Sequence, residues 1–389
     1  MIDRSTRLVG FDATPLAMPQ RAGVGYYAAN LLKALLVCED AYRFGLLAHR
    51  PLNGQTPPGT LGQIGQRFGN KSVWLQWHLP RELAAFQPAV CHFTNSIAPL
   101  PALPCPFVVT IHDLSLLHHS RWHPLKSRLV VRPLIPLVAR RATAVITVSE
   151  TSRREIINGL NLPPDKVHAI YAAAAPHFRV IDDVVELDRV RRRYGLPGKF
   201  VLYVGTIEPR KNLVRLVRAF ARQRGADQYL IIAGQLGWHY ADLLKVIETL
   251  GISDAVRLIG YVPDEDLPAL YNLATIFAYP SIYEGFGLPV IEAMACHTPV
   301  LTSNRSSLQE IADGAALLID PLNVEALAQG IAQLMSDAAL RDTLRFAGQQ
   351  RAAQFSWAKA ASETMRVYDQ CYSAQTASDI SQPVTTAHT

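Results

Sequence analysis

The stretch IFAYPSIYEGFGLPVIEAMACHTPVLTS, Ile276 to Ser303, decides the fold. IFAYP and PVLTS are short and show no polar alternation, so each reads as a strand buried on both faces. Between them Gly285 and Gly287 bracket Phe286 in a turn, and a helix begins near Pro289. Strand, glycine turn, helix and strand in succession make the unit from which parallel sheets are built.

Working outward, the same signature precedes this unit in FVLYVG, YLIIAG and VRLIG. An earlier series, LVGF (8–11), FGLLAH (44–49), AVCHF (89–93), FVVTI (107–111) and AVITV (144–148), has the same character. The two series are separated after Pro176 by a charged segment, IDDVVELDRVRRRYGLPGK, which reads as a linker. The expected organisation is α/β, with two Rossmann-like βαβ domains facing across a deep cleft: 1–178, then 179–356. FSWAKAASETMRVYDQCY supplies a terminal helix over 357–372, expected to pack back on the first domain, and 373–389 reads as a disordered tail. The insertion PLNGQTPPGTLGQIGQRFGN (51–70) is too irregular to predict any element.

A chain of 389 residues, 49% hydrophobic and 18% charged, is long enough to bury two cores. Its net charge of +6 favours an anionic partner without choosing among nucleotide phosphates, nucleic acid and lipid. The basic residues are dispersed among α/β elements rather than gathered on one recognition helix, which argues against nucleic acid. Five cysteines lie far apart in sequence and read as reduced, largely buried thiols of a cytoplasmic protein. The N-terminus MIDRSTRLVGFDA lacks the apolar core of a secretory signal, and no apolar run reaches the length of a spanning helix.

Candidate chemistry sits in the loops that follow strands, where open α/β sheets bind ligands. Glu284 lies in the glycine turn and Glu292 in the first turns of its helix, so both can reach one ligand; two solvated glutamates on a capped helix fit the spacing as well. After FVLYVG, Gly205 opens a turn, Pro209 stiffens it, and Arg210 and Lys211 stand near a helix start, an arrangement suited to a diphosphate or simply to a basic solvated surface. GVGYYA, from Gly23, has the letters of a dinucleotide fingerprint but begins too far from its strand for one. FVVTI delivers His112 and Asp113 into the next loop. His119 and His123 have helical spacing, yet no carboxylate or cysteine pattern completes a metal site. The D-x-D of PDEDL reads as a helix start with Asp264 as its cap, and Tyr261 and Val262 end the strand before it. The stretch 123–144 interleaves Lys126, Arg128, Arg132, Arg140 and Arg141 with aliphatic residues; it suits an anionic membrane surface, or a helix with a basic outer face that Pro133 and Pro136 interrupt.

YEGFGLPVIE and EPRKN together resemble the motifs of retaining glycosyltransferases of family four, which have the GT-B fold. The resemblance runs from the glycine loop to the FSW helix. It implies that Glu284 contacts donor-sugar hydroxyls, that Glu292 holds ribose hydroxyls, and that the amides of Phe286, Gly287 and Leu288 approach the sugar. Arg210 and Lys211 would neutralise the leaving diphosphate, opposite the amides of Gly23 and Val24. His112 would face the donor sugar and the acceptor, with Asp113 on the acceptor side, while Gly205, Tyr261 and Val262 would meet the donor.

NRSSLQEIADGAALLIDP is similar to bacterial mannosyltransferases of surface polysaccharide synthesis, although Thr206 and Gln309 stand where relatives often carry Arg and Pro. Implied partners are a nucleotide diphosphate sugar and a glycan or lipid-linked acceptor at the inner face of the membrane, with no metal or other cofactor. A nucleotide-sugar epimerase on the same fold, recognisable by a new sugar nucleotide formed from donor alone, is one rival. A non-catalytic sugar-nucleotide binder is the other, excluded by acceptor-dependent release of nucleotide.

Overall fold

A computed structural model describes residues 7–18, 23–38, 42–52, 57–65, 69–238 and 240–381. Seven strands form the first sheet: β1 (Arg7–Asp12), β2 (Tyr42–Leu47), β3 (Gln63–Ile64), β4 (Val90–Phe93), β5 (Phe107–Thr110), β6 (Ala144–Thr147) and β7 (Val167–Ala169). Six form the second: β8 (Phe200–Val204), β9 (Tyr229–Ala233), β10 (Val256–Gly260), β11 (Ile276–Tyr279), β12 (Val300–Ser303) and β13 (Leu317–Ile319). Every pairing is parallel, as the crossover helices require. All four residues of β4, β5, β6, β11 and β12 are buried, because helices cover both faces of each sheet.

The strand orders are β3-β2-β1-β4-β5-β6-β7 and β10-β9-β8-β11-β12-β13. In each sheet the chain winds outward in one direction, returns to the middle and winds out in the other. The reversals fall between β1 and β4 and between β8 and β11, where Ile276 and Phe277 register with Val201 and Leu202. Loops leaving the C-terminal ends of such a strand pair diverge and open a crevice.

Several elements differ from the sequence expectation. β3 lies inside the 51–70 insertion, pairing with Leu46 and Leu47, and the Gln63 amide donates to the carbonyls of Ala48, Arg50 and Gly65. A two-residue strand has no periodicity to detect. Residues 53–56 and 66–68 of that insertion lie outside the described residues. The terminal helix runs Trp357–Ser381, past residue 372, because no proline or glycine interrupts it before Pro383; residues 382–389 lie outside the described residues.

That helix packs on the helix Gly23–Val37 and on β4, β5 and β6 of the first sheet. The Tyr368 hydroxyl hydrogen-bonds with His92 Nδ1 at 2.7 Å, the other ring nitrogen meets Thr110 at 2.7 Å, and burial holds this imidazole neutral with a pKa near 3. Asp369 meets Arg7 and the Tyr42 hydroxyl at 2.5 and 2.6 Å. Cys91 and Cys105, distant in sequence, bring their sulfur atoms to 3.5 Å in the second core of the first domain. No helix among the described residues is long and apolar enough to cross a membrane.

Candidate active site

The loops from both switch points line one cavity. From β8 comes Gly205, whose φ of +149° only glycine holds comfortably, then Thr206 and Glu208, the short turn Pro209–Lys211, and Asn212 at φ +65° before the helix Leu213–Gln223. From β11 comes Pro280 to Gly287, ending where the helix Leu288–Ala295 starts. Across the cleft stand the first residues of the helix Gly23–Val37 and the segment His112–Asp113 after β5.

Glu284 is the centre of the arrangement. It is only 7% exposed. One carboxylate oxygen accepts from Lys211 at 2.6 Å, Ser281 at 2.6 Å and Tyr279 at 3.1 Å, while the other accepts from Arg210 at 2.6 Å. Burial pushes its pKa up, but Arg210, Lys211 and these donors outweigh burial and hold it near 2. Arg210 also pairs with Glu208 at 2.6 Å and donates to the Tyr283 carbonyl. Two cations and two carboxylates therefore form a neutral buried quartet. Lys211 borders the cavity, and Arg210 beside it is held by Glu208 and Glu284, as a largely buried guanidinium must be.

Glu292 also borders the cavity, accepting from the Tyr271 hydroxyl at 3.0 Å. Burial raises its pKa to about 7, opposed by that hydrogen bond and reinforced by Asp264. The two glutamates thus differ: one is fixed as an anion, the other is half protonated near neutral pH.

His112 packs edge-on against Tyr27 at 4.8 Å, and its Nε2 lies 3.0 Å from the Thr94 carbonyl. Only an N–H can make that contact, so the assigned tautomer leaves Nδ1 as an acceptor. Burial lowers the pKa of this ring, giving a neutral imidazole at pH 7. Asp113 accepts from the Ser115 amide at 2.8 Å, closing the turn that aims the segment. Gly23, Val24, Gly205, Tyr261, Val262, Phe286, Gly287 and Leu288 all line the cavity.

The sequence reading missed Tyr26, Tyr27, Gln235 and Glu208, which line the cavity as well. Glu208 stood two residues from Arg210 in the quoted motif, a usable signal; the tyrosines depend on which face of their helix meets the cleft. Asp264 is not the cap it was expected to be. Asp266 occupies the cap position of Leu267–Leu273 and, fully buried, pairs with Arg189 and Arg193 at 2.8 and 2.7 Å, while Asp264 turns to the cavity. No group of three or more potential ligands among the described residues could hold a metal ion.

The cavity is closed by contacts between the domains. Ser149 and Ser152 donate to the Gly285 carbonyl at 2.8 and 3.2 Å, and a side chain at position 285 would meet the His112 carbonyl at 2.1 Å. Tyr283 donates to Glu155. Glu310 caps the helix Glu150–Leu160 from the opposite domain, accepting from the amides of Glu150 and Thr151 at 2.9 and 2.8 Å and from Tyr171 at 2.7 Å.

Residues 22–174 match Glycosyltransferase Family 4, and residues 187–351 match Glycosyl transferases group 1. The O-antigen chain mannosyltransferase B of Escherichia coli is 36% identical over 265 residues, 67% of this chain and 69% of that one. The serotype-specific mannosyltransferase WbdA of the same organism is 31% identical over 278 residues; the match takes in 69% of this chain and 34% of that longer protein. Among solved structures, Anabaena HepE in complex with UDP-glucose superposes with a TM-score of 0.75 at 19% identity, covering 94% of this chain and all of the other, 100%. Two parallel Rossmann-like sheets, a shared cleft and these relatives lead to one conclusion: the chain belongs to the family 4 glycosyltransferases and has the GT-B fold.

Proposed function

We propose that the enzyme transfers a hexose, with mannose the first choice, from a nucleoside diphosphate sugar to a glycan or lipid-linked acceptor, retaining the anomeric configuration and using no metal. The observation that carries this reading is the quartet Glu208, Arg210, Lys211 and Glu284 beneath a cavity whose opposite wall begins a helix at Gly23. Two named mannosyltransferases among the relatives favour mannose.

Cleavage of a sugar–phosphate bond builds negative charge on the leaving phosphate, and fixed positive charge aimed there lowers the barrier. Lys211 and the N–H groups of the first helical turn at Gly23 and Val24 converge on the cavity from opposite sides. Glu284 keeps Lys211 in place and presents its oxygens to donor-sugar hydroxyls. Neutral His112 accepts a hydroxyl hydrogen through Nδ1. Glu292 accepts from the ribose hydroxyls, and the amides around Gly287 approach the sugar. Tyr261, Val262 and Gly205 border the nucleotide, and Asp113 faces the acceptor.

The test is a screen of purified protein against nucleotide sugars, scoring nucleotide release with and without acceptor and the anomer formed by NMR. Acceptor-dependent release from a mannose-bearing donor, unchanged by EDTA and reduced at least a hundredfold in Lys211→Met, is expected on the magnitude of one lost electrostatic contact. A new sugar nucleotide formed without acceptor, or an inverted product, overturns the reading.

A further inference from the structure

We propose that one face of the first domain docks on an anionic lipid bilayer, with Leu125, Leu129 and Trp77 entering the headgroup layer and the surrounding cations holding its phosphates. From Leu114 to Ser149 the sequence contains six Lys or Arg residues and no Asp or Glu. All six are exposed, and Arg121, Lys126, Arg128, Arg132 and Arg140 form no ion pair among the described residues. Six cations with no carboxylate in the same segment leave this part of the surface strongly positive.

The apolar residues among them are exposed too. Leu125 is 63% and Leu129 68% accessible, and Leu137 is also exposed. The helix Leu134–Arg141 shows how Leu137 comes to face outward. Pro133 and Pro136 sit before and within its first turn, where no amide donor is needed, so they start the helix instead of breaking it. Ile135, Val138 and Ala139 pack inward, which leaves Leu137, Arg140 and Arg141 on the outer side.

A second segment joins this face. Trp77, 65% accessible, belongs to the helical turn Trp74–His78. The loop at Leu100 connects the two: its amide donates to Gln76 at 2.8 Å, and its carbonyl accepts from Arg141. Large apolar side chains interleaved with unpaired cations match a membrane interface, where aromatic and aliphatic groups enter the acyl boundary and arginines reach phosphates. A polyanion such as nucleic acid would answer the charge but leave the leucines and the tryptophan in water.

The proposal is independent of the donor and acceptor assigned above, and full-length protein tests it by cosedimentation with vesicles of phosphatidylcholine, alone or mixed with phosphatidylglycerol. The expected result is binding to the mixed vesicles only, weakening as salt is raised. The triple variant Lys126→Glu, Arg128→Glu, Arg132→Glu should lose about a hundredfold in partitioning, at roughly the contribution of each interfacial cation. Leu125→Ser with Leu129→Ser should lose the binding that survives in high salt. Melting temperature and affinity for sugar nucleotide in lipid-free solution should match the parent in both variants, which separates lost docking from lost folding and from a wrong donor. Parent protein left in the supernatant, equal binding to both vesicle types, or leucine variants that bind as tightly as the parent would overturn the proposal. So would retention on duplex DNA that exceeds vesicle binding and ignores the leucine changes.

Discussion

Replacing Glu284 by Gln should destabilise the second domain by an amount that depends on pH. The side chain keeps its size and its ability to accept from Ser281 and Tyr279, but the charge that pairs Lys211 and Arg210 disappears. A carboxyl held near 2 in the folded chain, against an ordinary value of 4.5, contributes about 3 kcal/mol at neutral pH. Breaking one side of a buried ion pair costs roughly 3–5 kcal/mol, so the two routes agree. For a domain of this size about 3 kcal/mol corresponds to a melting shift of roughly 6–12 °C. The sign follows from the depressed folded value: the stabilisation is complete above pH 4.5 and is lost as pH falls towards 2.

Calorimetry of parent and variant from pH 7 down to pH 3 should therefore show a large gap that narrows below pH 4.5. Adding Lys211→Met to Glu284→Gln should recover part of the loss, since the stranded ammonium goes with it. A gap under about 1 kcal/mol at pH 7, or one that does not change with pH, refutes the claim that charge pairing fixes this carboxylate.

Glu292 should behave in the opposite sense. Its folded value near 7 lies above the ordinary 4.5, so native stability falls as pH rises between those two values, and Glu292→Gln should flatten that slope in the same calorimetric series. If ribose hydroxyls donate to this carboxylate, nucleotide binding releases a proton near pH 6, visible as a buffer-dependent enthalpy in titration calorimetry. Gly285→Ala should hold the domains apart, because its new methyl meets the His112 carbonyl; small-angle scattering should report a larger radius of gyration, with transfer lost and melting little changed. Glu310→Ala removes the cap from the helix Glu150–Leu160 and should raise KM for donor more than it lowers kcat, whereas equal effects on both would contradict a role in closure.

The strands were legible because burial on both faces leaves a continuous apolar run, as in IFAYP and FVLYVG. β3, β7 and β13 were not, being too short to carry a pattern. At the site, residue types and spacing pointed to Glu284, Glu292 and Lys211, all of which border the cavity. What the spacing did not contain was charge compensation. Glu284, which pairs with Arg210, comes from another loop 74 positions away in the chain, a partner that spacing cannot reveal. Asp266, not Asp264, takes the cap position for a similar reason, since Arg189 and Arg193 arrive from the linker to claim one of three nearby carboxylates.

The terminal helix leaves its mark on the order in which this protein can be made. The helix Gly23–Val37 buries Leu31, Leu32 and Leu35, and it is against this helix that the last long segment of the chain docks. During synthesis the first sheet can assemble early, but part of its apolar cover does not exist until Trp357 to Ser381 has left the ribosome. By then the second domain, whose strands are contiguous in sequence, has all of its own material. The domain begun first is therefore the one finished last.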